Sequence, residues 1–452
     1  MLLEIPLEKE LKIPLYLQIS GHLEKMISSG SLQEGFKLPS SRELALSLAV
    51  SRTTVIEAYR HLEDGGFVRQ KGRSGAYVCR KMHDGRYDKE DNRMKWDMAS
   101  GIPSSELMPF SCLAKLSKEI LHEGNERVLE LAPPEGVPEL RQELLSHAVS
   151  RGIPARWENV FVTSGGREGL AVSMAALKAS GVSRLWLEEL TYPDAAMIAR
   201  SFGFNLGVLP LDLGIMTEII GGLGPEDAVY LVPSFQNPTG RTIPSEARRI
   251  ILDRSMSRGI WIIEDDAYGE LRYGEITVPA LKSMDGSERV IYLGSFSQAL
   301  FPGLRLGYSL LPESMRRYWK ECQIKGSGPV SSLVQFLITR FIKSGGLDEA
   351  LSIARSTIAS RMAALARGVA KHLVGTSFSV PEGGIYLWLE TPGLDGDRAE
   401  KLAREGRIAI ASGNGFSWMH KKVEAVRLSV SSVATDDMEK AILVLRNRWN
   451  RK

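Results

Sequence analysis

The chain has 452 residues, of which 43% are hydrophobic and 25% are charged, and its formal net charge is +3. This composition is typical of soluble globular proteins, and this length predicts two or three domains with a large buried core. So small a net charge excludes a uniformly basic nucleic-acid-binding protein, and no apolar run approaches the roughly 18 residues of a membrane span.

The three cysteines, Cys79, Cys112 and Cys322, lie far apart and form no C-x-x-C pair. This spacing fits a reducing cytosol and gives no signal for a disulfide or a metal site. The N-terminal stretch MLLEIPLEKELK is too acidic for a secretory signal, and its apolar run is too short. We therefore expect a cytoplasmic protein with no membrane segment.

Residues 14–64 contain three segments with helical periodicity. The second and third are short and joined by a tight turn, which is the pattern of a helix-turn-helix. Two strand-like runs with a basic, glycine-containing turn between them then predict a two-stranded wing. The predicted helices cover residues 14–29, 40–48 and 52–64, and the predicted wing strands cover residues 67–69 and 76–78.

Basic and hydroxyl side chains lie where this motif contacts DNA. The N-terminal residues of its second helix enter the major groove, and basic side chains elsewhere contact phosphates. A three-helix packing module with a solvated basic face is the alternative interpretation. The residues that we expect at the DNA surface are Arg42, Ser51, Arg52, Thr53, Thr54, Lys71 and Arg73.

The segment PSSRELALSLAVSRTTVIEAYRHLEDGGFV, residues 39–68, closely resembles the GntR-type winged helix. The resemblance extends over about residues 11–78 and implies sequence-specific binding of a double-stranded DNA operator, normally by a dimer. We assign residues 1–80 to this DNA-binding domain. Residues 81–95 (KMHDGRYDKEDNRMK) are polar, have no apolar period and are predicted to be a linker.

From residue 96 onward, apolar strand-like runs alternate with helical patterns. This alternation predicts an α/β domain with a doubly wound, mostly parallel sheet, in which ligands bind at the carboxyl ends of the strands. The clearest strands are predicted at residues 160–163, 184–188, 228–233, 261–264 and 290–293, and the clearest helices at residues 168–179 and 245–258.

Polar clusters follow several of these strands. In TSGGRE, residues 163–168, Gly165 and Gly166 open a predicted helix, where exposed amides can bind an anion. Asp265 follows an apolar strand, with Tyr268 three residues further on. A buried acid needs a partner, and the protonated nitrogen of a cofactor pyridine ring is one candidate. Taken singly, these patterns also occur in ordinary loops and cores.

Three further side chains are candidates for ligand contact. Tyr192, in EELTYPDA, can stack on a ring, although such a tyrosine is more often part of a core. Asn237, in FQNPTGR, lies at a strand end before a turn. Arg427, in VRLSVS, lies on a predicted strand and can hold a carboxylate through two hydrogen bonds.

The stretch YLGSFSQALFPGLRLGY, residues 292–308, begins as an apolar strand and opens into a loop rich in serine and glycine. It carries Ser295, Ser297 and Arg305. Two hydroxyls, exposed amides and a guanidinium together suit a phosphate. An ordinary strand and loop with polar surface residues would have the same composition.

This loop resembles the lysine loop of the fold-type I pyridoxal-phosphate enzymes, the aspartate aminotransferase superfamily, which reads roughly S-x-S-K-x-x-x-P-G-L-R-x-G. Gln298 occupies the position of the lysine that binds the cofactor covalently. A carboxamide has no basic amine, so it can neither bind the cofactor aldehyde nor move a proton. The resemblance to these aminotransferases covers about residues 97–446.

Carried over by motif, the resemblance implies a role for each candidate. The residues implied at the cofactor phosphate are Gly165, Gly166, Arg167, Ser295, Ser297 and Arg305. The residues implied at the cofactor ring are Tyr192, which stacks on the pyridine, Asn237 and Tyr268, which approach its hydroxyl, and Asp265, which pairs with its nitrogen. Arg427 is implied to hold the carboxylate of a substrate or effector.

A GntR-type winged helix followed by an aminotransferase-like domain is the layout of the MocR/GabR family of bacterial transcriptional regulators. This resemblance implies a homodimer, usually with domains exchanged head to tail, that responds to an amino compound or to vitamin B6 in the form of pyridoxal phosphate. We assign residues 96–452 to the effector-binding and dimerisation domain, with a small C-terminal subdomain from about residue 330. The sequence favours neither activation nor repression.

Four departures from the aminotransferase pattern cluster at the cofactor. Gln298 replaces the lysine, Gly166 and Arg167 stand where Ser or Thr and Gln are usual, and Leu131 replaces a usual Tyr. We therefore expect pyridoxal or pyridoxamine phosphate to bind noncovalently, without transaminase turnover. Two alternatives stay open: an aminotransferase with a DNA-binding appendage, and a regulator with a relic pocket for another ligand.

Overall fold

A computed structural model describes residues 5–7, 14–28, 32, 35–64, 67–70, 75–78, 94–274, 278–297, 302–326 and 328–450. The chain divides into two compact units, Met1–Asp91 and Asn92–Lys452. The division falls within the segment predicted as a linker. In the described part of the chain, no helix is both long enough and apolar enough to cross a bilayer.

The first unit consists of three helices and a small hairpin. The helices are α1 Leu15–Ser28, α2 Ser41–Ser47 and α3 Arg52–Asp64, and the strands are β1 Val68–Gln70 and β2 Ala76–Val78. The strands pair antiparallel. Because apolar residues recur at helical spacing in α1 and α3, their buried faces form one core that includes Ile19, Leu23, Val55 and Leu62.

Local hydrogen bonds cap the starts of α2 and α3, and a turn joins the two helices. Oγ of Ser40 accepts from the amide of Glu43 at 3.2 Å, and the Glu43 carboxylate accepts from the amide of Ser40 at 2.7 Å. Ala49 in the turn has a φ of +51°. Ser51 then accepts from the amide of Thr54 at 3.1 Å. The predicted helix-turn-helix is therefore capped at both helix starts.

The strands of the second unit begin with β3 Trp96–Asp97, β4 Val160–Thr163, β5 Arg184–Glu188, β6 Asn205–Leu209, β7 Asp227–Leu231, β8 Trp261–Asp265, β9 Val290–Ser295 and β10 Gly307–Leu310. The remaining strands are β11 Tyr386–Glu390, β12 Ile408–Ala409, β13 Ala411–Ser412 and β14 Ala425–Ser429. Seven of them form one sheet in the order β4-β10-β9-β8-β7-β5-β6. Strand β10 runs antiparallel to β4 and β9, and the other pairs are parallel.

The helices of this unit are α4 Phe110–His122, α5 Pro138–Ser150, α6 Gly166–Ala179, α7 Pro193–Ser201, α8 Leu213–Gly221, α9 Ser245–Arg258, α10 Leu281–Met284, α11 Arg316–Gly326, α12 Ser332–Lys343, α13 Gly346–His372, α14 Gly396–Glu405 and α15 Thr435–Trp449. Two apolar clusters cover the large sheet. Along β7, Ala228 and Tyr230 belong to one cluster, whereas Val229 and Leu231 belong to the other. The sheet is therefore buried on both faces.

A second, smaller sheet lies in the C-terminal part of the unit. Its strand order is β11-β14-β13, all antiparallel. Strand β12 pairs in parallel with β3, so the beginning of the unit is tied to its C-terminal part. Arg427 lies in the middle of β14, opposite Trp388 of β11.

The predicted fold class is confirmed, and the differences at element ends have local causes. Strand β9 runs to Ser295, beyond residue 293, because Gly307 of β10 pairs with Ser295. The strand predicted at 228–233 ends at Leu231, because the amide of Val232 donates to the Glu188 carboxylate at 3.1 Å. Helix α6 begins at residue 166, before the predicted 168, directly after the turn at Gly165.

Candidate functional site

Two loops leave the large sheet side by side. Gly307, the first residue of β10, pairs with Thr163 at the end of β4 and with Ser295 at the end of β9. The loop that leads from Thr163 into α6 and the loop that follows Ser295 therefore start next to each other, although they are far apart in the sequence. This pairing brings together the two groups of residues that the sequence analysis assigned to a phosphate.

A small concave group, which we call the cradle, forms between these loops. Gly165 has a φ of +83°, and a Cβ atom at that position would lie 3.5 Å from Cζ of Arg305 and 3.7 Å from Oγ of Ser297. A Cβ atom on Gly166 would lie 3.7 Å from Cβ of Ser295. These five residues are the cradle, and all five were predicted phosphate residues.

The cradle offers hydrogen-bond donors that the described protein does not use. Oγ of Ser297 is buried and has no hydrogen-bond partner among the described residues. The first amides of α6 have no intrahelical partner, as in every helix. Because a buried unpaired hydroxyl is costly unless a ligand completes it, the donor set fits a phosphate or another oxyanion.

Arg167, the sixth predicted phosphate residue, forms an ion pair. Its Nε donates to Oδ2 of Asp194 at 2.6 Å, and the Tyr192 hydroxyl donates to the same oxygen at 2.8 Å. The Arg167 side chain is 52% exposed, so solvent screens this pair. Burial and the Asp194 carboxylate raise the pKa of Tyr192. Arg167 and Tyr192 are thus linked through one carboxylate, and the phosphate role of Arg167 stays a prediction.

Asp265 lies at the end of β8, in the central part of the sheet. Its Oδ2 accepts from the Tyr230 hydroxyl at 2.7 Å, and its Oδ1 accepts from the amide of Ala267 at 3.2 Å. Burial raises the pKa of Asp265 to about 6, although both hydrogen bonds favour the ionised form. The carboxylate is therefore ionised at neutral pH and becomes protonated as the pH falls through about 6.

Arg427 and Asn237 are hydrogen-bonded to each other although they are 190 residues apart in the sequence. Nη1 of Arg427 donates to Oδ1 of Asn237 at 2.7 Å, and Nη2 donates to the carbonyl oxygen of Ala99 at 2.5 Å. Nε of Arg427 is buried and has no hydrogen-bond partner in the described part of the chain. The guanidinium is thus held in place, and its Nε–H is available to a ligand.

Aromatic rings enclose the Arg427 guanidinium. Its Cζ lies 3.8 Å from the ring centroid of Tyr386 and 4.6 Å from that of Phe416. The Tyr386 ring in turn packs edge-on against Tyr268, with centroids 5.6 Å apart. Tyr268, Asn237 and Arg427, which the sequence assigned separately, therefore belong to one connected group. Aromatic stacking restricts a guanidinium to one orientation and strengthens its contacts with anions.

Several predicted residues lie outside the described chain. Gln298, at the predicted lysine position, is one of them, and so are Lys71 and Arg73 of the wing. Leu131, where the aminotransferase pattern usually has a Tyr, is described and is 88% exposed.

Sequence reasoning missed Tyr230, which holds Asp265. A tyrosine within the fully buried strand DAVYL was the available signal, since a buried hydroxyl requires a partner. It also missed the ion-pair network of Arg151, Asp266 and Glu270, because Arg151 directly follows α5 and is 115 residues away from Asp266 in the segment after β8 that carries both carboxylates.

The predicted DNA surface of the first unit is exposed. Arg42, Ser51, Arg52 and Thr53 are all solvent-accessible, and Thr54 is half-buried. Nε of Arg52 donates to Oγ of Ser41 at 3.2 Å, so its guanidinium is positioned at the start of α3. The Ser51 hydroxyl is used in capping α3, as described above. Arg52 is therefore exposed at the start of α3, where this motif reads the major groove, and its contact with DNA stays a prediction.

Comparison with known protein families identifies both units. Residues 93–445 match the family described as "Aminotransferase class I and II", and residues 15–78 match "Bacterial regulatory proteins, gntR family". The two matches fall on the two compact units and agree with the predicted fold.

Individual relatives include regulators and an enzyme. An uncharacterized HTH-type transcriptional regulator YdeL of Bacillus subtilis is 28% identical over 98% of both chains. The probable rhizopine catabolism regulatory protein MocR of Rhizobium meliloti is 28% identical over 81% of this chain and 79% of its own. The crystal structure of LysN, an alpha-aminoadipate aminotransferase from Thermus thermophilus complexed with N-(5'-phosphopyridoxyl)-L-leucine, is 28% identical with a TM-score of 0.72, covering 80% of this chain and 92% of that one.

Proposed function

The chain belongs to the aminotransferase class I and II family and carries a gntR-type helix-turn-helix domain ahead of it, and on this premise we propose that it is a MocR-type transcriptional regulator that senses a ligand without turnover. The ligand is pyridoxal phosphate, pyridoxamine phosphate or an amino compound. The similarity to regulators over nearly the whole chain supports the regulatory half of the proposal.

The observation that carries the absence of turnover is the residue at position 298. Between Ser297 and Pro302 the sequence reads Q-A-L-F. Gln298 therefore stands where the resembling enzymes have the lysine that holds the cofactor and moves its proton. A carboxamide is neutral at all ordinary pH values and cannot do either.

The cradle supports noncovalent binding of the cofactor. Ser295, Ser297 and Arg305 would hold the phosphate together with the first amides of α6. Asp265, ionised above about pH 6, would hold the pyridine nitrogen in its protonated form. When bound, the cofactor supplies an electron-withdrawing ring and an aldehyde that reacts with primary amines. Tyr192 would stack on the ring.

Arg427 supports recognition of a carboxylate on an amino effector. Two of its donors already bind Asn237 and the Ala99 carbonyl. A ligand carboxylate that accepted a hydrogen bond from either donor would compete with one of these two contacts. Ligand binding would then change how β14 is tied to the residues around Asn237. Such a difference in contacts between the free and bound states is what a sensor requires.

The regulator would act as a cytoplasmic homodimer on a double-stranded operator. A dimer presents two copies of α3, and half-sites about one helical turn apart would match them. The small net charge of the whole chain means that the local charge of the DNA-binding unit must supply affinity, with a strong dependence on salt.

Borohydride reduction tests the ligand half of the proposal. Full-length protein is incubated with pyridoxal phosphate, reduced with borohydride, denatured and weighed by mass spectrometry. We expect a saturable absorbance change on mixing and no pyridoxyl group on the denatured chain. Steady formation of an oxo acid from any amino donor would instead make the chain an aminotransferase. No spectral change at millimolar cofactor would favour the relic pocket.

A further inference from the structure

A second cavity lies in the aminotransferase-like unit, and none of the roles assigned above uses it. Its volume is about 310 Å³. It is lined by residues from the end of α5, from the segments that follow β7 and β8, from α13, and by Glu382 shortly before β11. Its described lining includes neither the cradle residues nor Asp265 or Arg427. The cavity is therefore separate from the group that would hold the cofactor.

The floor of this cavity is a buried ionic network of two carboxylates, two guanidiniums and the imidazole of His147. Glu270 contacts Nε2 of His147 at 2.7 Å, Nε of Arg151 at 3.0 Å and Nη2 of Arg355 at 2.9 Å. Arg151 also donates to Asp266 at 2.6 Å. Burial alone would raise the pKa of Glu270, but Arg151, His147 and Arg355 lower it to about 2. Two ionised carboxylates thus face two guanidiniums.

The rim of the cavity carries charges of both signs that this network does not neutralise. The guanidinium of Arg272 makes no hydrogen bond or ion pair with any described residue. Asp348 and Glu382 are exposed at the same cavity, and their carboxylates form no ion pair within the described ranges. Burial and the like charges of Arg355 and Arg151 lower the pKa of Arg272, and the Glu270 carboxylate offsets part of this effect.

We propose that this cavity binds a small amino acid, with the carboxylate of the ligand on Arg272 and its ammonium group between the carboxylates of Asp348 and Glu382. A guanidinium matches a carboxylate through two parallel hydrogen bonds, and an ammonium group has three donors for carboxylate oxygens. The two rim carboxylates would repel a simple anion, and Arg272 would repel a simple protonated amine. A zwitterion satisfies all three, and the carboxylates of the floor are already paired with Arg151 and Arg355.

This second site goes beyond the proposed function, since it needs neither the cofactor nor position 298. It is tested by calorimetric titration of the full-length, cofactor-free protein with each of the standard amino acids in turn. We expect at least one to bind with a millimolar or lower Kd. Two analogues of that amino acid should bind at least about tenfold more weakly. One is the amine that lacks its carboxylate, and the other is the acid that lacks its amino group.

Matched variants locate the site. Arg272→Gln should weaken amino acid binding at least about tenfold, since it removes the charge-assisted pair. Arg367→Gln makes the same charge change at an exposed position of α13 and should leave binding unchanged. Thermal unfolding checks that each variant is folded. If Arg272→Gln does not fold, Glu382→Gln, a substitution at an exposed position, takes its place. It should weaken binding of the amino acid and leave binding of the corresponding acid unchanged.

Three results would overturn the inference. One is that no amino acid binds. The second is that binding survives both Arg272→Gln and Glu382→Gln. The third is that binding is lost in Arg427→Lys but kept in Arg272→Gln, which would place the ligand in the aminotransferase pocket. None of these results bears on DNA binding or on the noncovalent cofactor, so the proposed function would stand.

Discussion

Asp265 and Asp266 are adjacent at the end of β8, yet they accept hydrogen bonds from tyrosines on the two neighbouring strands. Asp265 accepts from Tyr230 of β7 at 2.7 Å, and Asp266 accepts from Tyr292 of β9 at 2.8 Å. Asp266 also pairs with Arg151 at the second cavity. One strand end therefore supports both the predicted cofactor contact and the floor of the second cavity.

Cofactor affinity should fall as the pH drops through about 6. Because the pKa of Asp265 is raised to about 6 by burial, its carboxylate is ionised above this pH and neutral below it. A neutral acid no longer favours the protonated pyridine nitrogen. Absorbance titrations with pyridoxal phosphate between about pH 5 and pH 8 measure the effect.

The control is Asp265→Asn, which should bind weakly throughout and lose most of the pH dependence. The cofactor phosphate also titrates near pH 6, so any pH dependence of cofactor affinity that remains in Asp265→Asn belongs to the phosphate.

The raised pKa of Asp265 has a second consequence. In the unliganded protein, stability should decrease as the pH rises from 3.8 to about 6, because the folded state binds this proton more tightly. If the affinity for the cofactor depended on pH identically in the unchanged protein and in Asp265→Asn, this result would contradict the assignment of Asp265 to the pyridine nitrogen.

Ser297→Ala should weaken pyridoxal phosphate binding by about 1 kcal/mol, or roughly fivefold in Kd, since it removes one hydrogen bond to the phosphate. The same change should not lower the Tm of the free protein, because the Ser297 hydroxyl is already buried without a described partner.

Ser309 supplies the matched control. Its hydroxyl is also buried without a described partner, but it lies within β10 and outside the cradle. Ser309→Ala should therefore leave the affinity for the cofactor unchanged. Equal losses of affinity in Ser297→Ala and Ser309→Ala would show that the cradle does not hold the phosphate.

Gln298→Lys should restore covalent attachment. A lysine amine can react with the cofactor aldehyde, whereas the carboxamide of Gln298 cannot. After borohydride reduction, mass spectrometry should find one pyridoxyl group on Gln298→Lys and none on the unchanged protein. Gln298→Glu, which introduces no amine, is the negative control. A pyridoxyl group on the unchanged chain would contradict the proposed absence of covalent chemistry.

Arg52→Ala should weaken operator binding by about 1–3 kcal/mol if Arg52 reads a base at the start of α3. Arg60→Ala is a suitable control, because Arg60 is exposed further along the same helix and pairs with Glu57 at 3.8 Å. Footprinting and fluorescence anisotropy on DNA upstream of the gene would measure both variants. An Arg52→Ala protein with an unchanged footprint and affinity would remove Arg52 from the reading helix.

The sequence was informative where structure depends on local pattern. Apolar periodicity, the alternation of strand-like and helical runs and the resemblance of two long segments predicted the helix-turn-helix, the α/β domain and the cradle residues. The boundary of β7 was wrong because it depends on Glu188, which is distant in the sequence. Gln298, on which the predicted lack of turnover depends, is read from the sequence alone.

Tertiary structure alone decided which polar groups meet. Sequence order could not show that Arg167 pairs with Asp194, that Tyr230 holds Asp265, or that Arg427 is engaged by Asn237. It also could not show the second cavity, whose walls come from five separate parts of the chain. The physical reason is that secondary structure follows from neighbouring residues, whereas the pairing of charges depends on strand order and on packing between distant segments.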